Sequence, residues 1–176
     1  MTRFVGYIAM SLDARIADGD GNLDWLMSFG PPEGSQADYQ AFYSDVDGIV
    51  MGRSTYDWIV AHNDWPYSGK TSYVVTNRAF DSGRDDVIAV SPDYQGLRTR
   101  LEREGHSVIW ILGGGTVQRA ALDAGMFDHI RVFVIPIIVG SGPLIFADGA
   151  PRGLTLQASR TWGQIVELSY TFKETE

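Results

Sequence analysis

Apolar and polar positions along this chain switch repeatedly between two periods. Apolar, β-branched runs at Phe4 to Met10, Gly48 to Met51, Thr71 to Thr76 and Val108 to Leu112 read as buried strands, and Val87 to Val90 fits a further short one. Between them the period lengthens. Ala37 to Ser44 places Tyr39, Phe42 and Tyr43 at i, i+3, i+4 on one helical face. A second helix opens at "GRSTYDWI", with Ser54 or Thr55 able to cap it. A third, "DYQGLRTRLEREG", carries Leu97 and Leu101 and stops at Gly105. A fourth, Thr116 to Ala124, turns Val117, Ala120, Ala121 and Ala124 to one side. His129 to Val139 reads as a long strand in which Pro136 marks an edge or a bend. The last segment, "LTLQASRTWGQIVELSYTF", alternates and turns near Trp162 to Gln164, as an antiparallel hairpin does. Strands alternating with helices and closed by a hairpin predict a three-layer α/β/α fold with a mixed, mostly parallel sheet. No internal repeat, low-complexity stretch or linker interrupts residues 1–176, so one domain is expected.

Composition narrows the chemistry. The chain is 44% hydrophobic and 20% charged, in the ordinary range for a soluble globular protein. It has no cysteine, which excludes disulfides, thiol catalysis and thiolate-held metals. His62, His106 and His129 lie far apart with no ligand-like spacing, so no metal is expected. A formal net charge of −8 argues against nucleic acid or an anionic membrane surface as partner. "MTRFVGYIAMSLD" lacks a small-residue cleavage site and reads as a first strand rather than a signal peptide, and no run approaches a membrane span. The expected location is the cytoplasm.

Three strand-to-helix or strand-to-loop turns carry candidate chemistry. "ILGGGTVQ" puts three glycines between a strand and a helix N-terminus, where free amides and the helix dipole suit a phosphate; a tight turn without ligand is the alternative. "MGRST" repeats the arrangement with Arg53 adding charge, or else is a cap beside a solvated arginine. "VVTNR" ends another strand with Thr76, Asn77 and Arg78. Three such strand tips in one α/β chain tell more than any one of them. "DGDGNLD" matches an EF-hand loop at Asp18, Asp20 and Asn22, but Leu23 stands where glycine is needed and Phe29 where a bidentate glutamate is. A mobile active-site loop or a surface turn fits it better. Asp13, in "SLDAR", reads as structural.

The order "AMSLDARIAD", "LDWL", "MGRSTYDW", "WPYSGKTSYVVTNR", "ILGGGTVQRAAL" and "HIRVFVIPIIVGSGPLIF" resembles the dihydrofolate reductase-like superfamily. More narrowly, the chain is similar to stand-alone proteins akin to the reductase domain of the bacterial bifunctional riboflavin-biosynthesis deaminase–reductase. The likeness runs from about Arg3 to Phe172. It implies NADPH as cofactor, with contacts from Ala9, Ile16, Gly52, Arg53, Ser54, Thr55, Thr76, Asn77, Arg78, Gly114, Gly115, Thr116 and Val117. It also implies a cis Gly113–Gly114 peptide and association into a homodimer, to which the apolar run "VFVIPIIV" and the hairpin add surface. The acceptor would be a C=N or C=O of a pteridine-, pyrimidine- or sugar-derived compound, with 5-amino-6-(5-phosphoribosylamino)uracil in riboflavin biosynthesis as the named example. It would lie near Trp25, Tyr39 and Phe42, and take its proton from Asp38 or from water. Dihydrofolate reductases carry an acidic residue at the start of the second helix to protonate or orient the pteridine; Asp38 is the nearest candidate. Leu112 stands where the riboflavin reductases carry an acidic residue before the glycines. A nucleotide-binding or regulatory protein that keeps the pocket without turnover is the other reading.

Overall fold

A computed structural model describes residues 1–62 and 64–172. In chain order the elements are β1 (Arg3–Ser11), α1 (Asp24–Met27), α2 (Ser35–Asp45), β2 (Gly48–Gly52), α3 (Arg53–His62), β3 (Thr71–Val75), β4 (Val87–Val90), α4 (Tyr94–Arg103), β5 (Val108–Gly113), α5 (Gly115–Asp123), β6 (His129–Ile135), β7 (Leu154–Trp162) and β8 (Ile165–Phe172). The strands form one eight-stranded sheet in the order β4-β3-β2-β5-β1-β6-β8-β7. Neighbours from β4 through β6 run parallel, and β6–β8 and β8–β7 are antiparallel. This is the expected mixed, mostly parallel sheet closed by a hairpin.

Alternation along the strands sorts side chains into two cores. Phe4, Val50, Tyr73, Ile109 and Ile111 point to the face covered by α4 and α5, through Leu97, Leu101, Val117 and Ala121. Val5, Ile49, Met51, Val74 and Trp110 point to the other face, covered by Tyr56 and Ile59 of α3 and by Tyr39, Phe42 and Tyr43 of α2. Burial on both faces explains why the central strands read as continuous apolar runs. The antiparallel end differs: β7 is exposed at every position except Trp162.

Local chemistry sets the boundaries, in places unlike the sequence pattern. Asp93 caps α4 by accepting from the Gly96 amide at 3.0 Å. Helix α3 begins at Arg53, so Ser54 and Thr55 lie inside its first turn and do not cap it. The strand expected to reach Val139 ends at Ile135, because Pro136 cannot donate to the ladder and the Ile137 amide turns back to the Ile135 carbonyl at 2.8 Å. Since β6 lies between β1 and β8, Pro136 marks a bend and not an edge. The four-residue α1 falls partly within the stretch read as loop. No described helix is long and apolar enough to cross a membrane.

Candidate active site

The C-terminal ends of the parallel strands bring the glycine-rich turns together. Gly52 pairs with Val75, so Arg53 and Thr76 leave adjacent strands side by side. A register shift between Val50 and Met51 sets Met51 opposite Gly113, which brings the turn after β2 against the turn after β5. A Cβ on Gly52 would sit 3.0 Å from Val117 Cγ2, and one on Gly114 would sit 3.7 Å from both Ile16 Cδ1 and Thr55 Oγ1. Ile16, Gly52, Thr55, Gly114 and Val117 therefore line one crevice. The Gly113–Gly114 peptide is cis, as the resemblance implies.

The crevice is braced from below. The Ala147 amide donates to the Gly115 carbonyl at 3.1 Å, and a Cβ on Gly115 would collide with the Leu144 carbonyl oxygen. Gln118 is fully buried, and its Nε2 donates to the Ile111 carbonyl at 3.3 Å. Ile16 is held by its amide bond to the Pro143 carbonyl at 3.0 Å, and Arg15 Nη1 donates to the Gly142 carbonyl at 2.6 Å. Asp13 accepts from the Val139 and Gly140 amides at 2.9 and 2.8 Å and from Ser11 Oγ at 2.6 Å, which ties the loops after β1 and β6 together. Its hydrogen bond from Ser11, helped by those amides, holds the Asp13 carboxyl at about 2. Asp18 accepts from the Asp20 and Asn22 amides at 2.9 and 2.8 Å, an Asx-type turn.

The donor set suits a dinucleotide. Among the described residues no side chain caps the N-terminus of α5 at Gly114, which leaves its first-turn amides to an anion. The cradle at Gly114 is open to a phosphate because no Cβ fills it. Further along, Arg53 Nε pairs with Asp57 at 2.7 Å and its guanidinium lies 4.3 Å from the centre of the Phe80 ring. Thr76 Oγ1 accepts from the Arg78 amide at 3.0 Å, while Asn77 and Arg78 are exposed, as are Ser54 and Thr116.

The face of α2 builds a second wall. Tyr7, Ala9 and Ser11 point the same way from β1. Phe42 stacks on Tyr7 with ring centroids 4.5 Å apart and meets Trp110 edge-on at 5.2 Å; Tyr39 lies 5.8 Å from Tyr7 and 6.2 Å from Trp110. Burial pushes the Tyr39 hydroxyl up to about 12. Trp25 lies on α1, half-buried, and no ring contact joins it to Tyr39 or Phe42.

Asp38, in the first turn of α2, is enclosed by groups from four strands. Arg131 Nη2 of β6 donates to Asp38 Oδ2 at 2.6 Å, Arg160 Nη2 of β7 to Oδ1 at 3.3 Å, and the Tyr7 hydroxyl of β1 to Oδ2 at 3.3 Å. Behind them stands Glu167 of β8, which accepts from Arg131 Nε at 2.7 Å, Arg160 Nε at 3.1 Å and Trp162 Nε1 at 2.7 Å. Burial alone would raise the Glu167 carboxyl, but the bonds from Arg131, Arg160 and Trp162 hold it at about 2. Burial, then the charge of Asp38, drives the Tyr7 hydroxyl well above the usual phenol range.

Sequence patterns did not single out Arg131, Arg160, Glu167 or Tyr7. The available signal was their alternation: Arg131 in "HIRVF" and Glu167 in "IVELS" occupy every-other positions that a solvent face would also fill.

A mostly parallel sheet with glycine-rich turns apposed at the ends of its strands defines the class. The family model described as the RibD C-terminal domain matches residues 5–168. The chain belongs to that family. YwjB of Bacillus subtilis, an uncharacterized protein, is 38% identical over 167 residues, covering 93% of this chain and 94% of its own. The dihydrofolate reductase HdrB of Haloferax volcanii is 29% identical over 119 residues, 65% of this chain and 57% of that one. A provisionally named riboflavin biosynthesis protein of Shewanella sp. PV-4 superposes with a TM-score of 0.88 at 29% identity, covering 99% of this chain and all of the other.

Proposed function

We propose that this chain is a cytoplasmic, NADPH-dependent reductase of a small pyrimidine- or pteridine-like compound, working as a single domain. The observation that carries the reading is the apposition of two strand-to-helix turns, with Gly114 facing Thr55 and Gly52 facing Val117. When bound, the cofactor supplies the hydride. The amides of Gly115, Thr116 and Val117 and the turn Gly52 to Thr55 hold its diphosphate; Arg53, Thr76, Asn77 and Arg78 hold its adenosine phosphate; Ala9 and Ile16 flank its ring. Trp25, Tyr39 and Phe42 bound the acceptor, whose proton comes from a water beside Asp38 rather than from Asp38 itself, because both Asp38 oxygens accept from Arg131 and Arg160. Membership of the RibD C-terminal domain family and the likeness to a dihydrofolate reductase support the reading.

The test is NADPH binding by calorimetry, then loss of absorbance of the reduced cofactor against a panel of pyrimidines and pteridines. Failure of NADPH to bind at millimolar concentration refutes the proposal. A second reading, a nucleotide-binding protein without turnover, draws on the engagement of both Asp38 oxygens by Arg131 and Arg160. Binding without oxidation of NADPH across the panel would favour it.

A further inference from the structure

We infer that the cavity between the end of α2 and the starts of β1 and β6 is a binding site for a small zwitterion of the α-amino acid class. It lies at the N-terminal ends of the parallel strands, away from the glycine-rich turns at their C-terminal ends. The inference does not depend on the reductase reading.

The cavity encloses about 130 Å³. Val5, Phe42 and Val108 give it apolar walls, and its polar groups are sorted by sign. Arg3, His129 and Arg131 come from the strand side. Asp45 comes from the last turn of α2, where the terminal carbonyls of the helix add partial negative charge. Arg3 and Asp45 are exposed and line the same cavity. Among the described residues no ion pair or side-chain hydrogen bond engages either of them. Two opposite charges thus stand on opposite walls without meeting.

The strand wall holds further donors. Ser169 Oγ lies 2.7 Å from His129 Nε2 and can give its proton there, which places the ring proton on Nδ1. Burial, then the charge of Arg131, holds the His129 imidazole below its ordinary range, so it is neutral near pH 7. Arg131 engages Asp38 through Nη2 and Glu167 through Nε, which leaves Nη1. A carboxylate on this side meets Arg3 and these two groups, and an ammonium on the other meets Asp45 and the end of α2. A plain anion gains Arg3 but faces Asp45 and the negative end of the helix. A plain cation gains Asp45 but faces two arginines. Only a molecule carrying both signs matches both walls. The volume is that of about four waters, which admits a molecule the size of alanine and not one with a long side chain.

The probes are L-alanine, acetate and ethylamine, titrated separately into the full-length protein at pH 7 by calorimetry. Alanine is expected to bind about tenfold or more tightly than acetate or ethylamine, each of which lacks one charge. Arg3→Gln and Asp45→Asn are each expected to weaken alanine by about tenfold, whereas Asp45→Asn strengthens acetate. Both side chains are exposed, so an unchanged thermal midpoint checks that the variants keep the fold. Acetate or ethylamine binding as tightly as alanine overturns the inference. So does alanine affinity unchanged in either variant, or absence of alanine binding at millimolar concentration.

Discussion

Replacing Glu167 with Gln tests whether the charge network behind α2 holds the fold as its geometry requires. Glu167 is 2% exposed and accepts from Arg131, Arg160 and Trp162. The amide keeps one acceptor oxygen but loses the charge and turns a donor toward groups that are all donors. Arg131 keeps Asp38, and Arg160 is solvated enough to find water. The net loss is that of about one charge-assisted bond with its partner left unsatisfied, ~2–3 kcal/mol. For a chain of this size that lowers the thermal midpoint by roughly 5–10 °C at pH 7. The carboxyl titrates at about 2 in the fold against 4.5 for an ordinary glutamate. Its depressed value means the contribution is complete above pH 4.5 and is lost as pH falls from there toward 2. Calorimetric midpoints of wild type and Glu167→Gln should therefore be furthest apart near neutrality and converge between pH 4.5 and 2. A gap that stays constant over that interval would refute the reasoning, since a charge that contributes stability must stop contributing once it is titrated.

Three further outcomes are expected. Gly115→Ala should lower the melting midpoint sharply, by ~2–3 kcal/mol of strain against the Leu144 carbonyl, whereas Gly114→Ala, whose methyl meets side chains at 3.7 Å, should weaken NADPH binding with a smaller fall in midpoint; the reverse ranking by calorimetry and titration would remove the phosphate from that turn. Arg78→Ala should raise the dissociation constant for NADPH more than for NADH, and an equal change in both would place Arg78 away from the 2′-phosphate. The protein should be a homodimer by light scattering at micromolar concentration, joined through the exposed β7–β8 face with Leu154, Leu156 and Val166; a monomer mass there, or a dimer untouched by Leu156→Arg, would count against it.

The layered architecture was readable from the sequence because its signals are local. Val117 and Ala121 of α5 and Leu97 and Leu101 of α4 repeat at helical spacing and pack where that spacing points. The apolar runs of β2 and β5 are buried on both faces, as runs without alternation should be. The two glycine-bearing turns after β2 and β5 announce themselves through glycine beside a helix start. What was not readable is long-range. Asp38 is conspicuous alone, but Arg131 and Arg160, and the Glu167 that holds them, sit in strands far along the chain, and a polar residue in an alternating strand looks the same whether it faces water or a buried carboxylate. Helix α1 was hidden by its length and its polar, glycine-flanked setting. The early end of β6 follows from a proline whose effect depends on which neighbour the strand acquires.

The dependence of α2 on the last hairpin also has a bearing on how the molecule is made. Asp38 is separated by 93 residues from Arg131 and by 122 from Arg160. During translation the first turn of α2 leaves the ribosome on the order of ten seconds before Arg160 is polymerised. Through that interval its carboxylate lacks Arg160 of β7, whereas the rings of Tyr39 and Phe42 pack on Tyr7 and Trp110 of strands that precede the hairpin. The enclosure of Asp38 is thus completed only when the last hairpin is made, and a nascent or C-terminally clipped chain carries the glycine-rich turns after β2 and β5 without Arg160 beside that carboxylate.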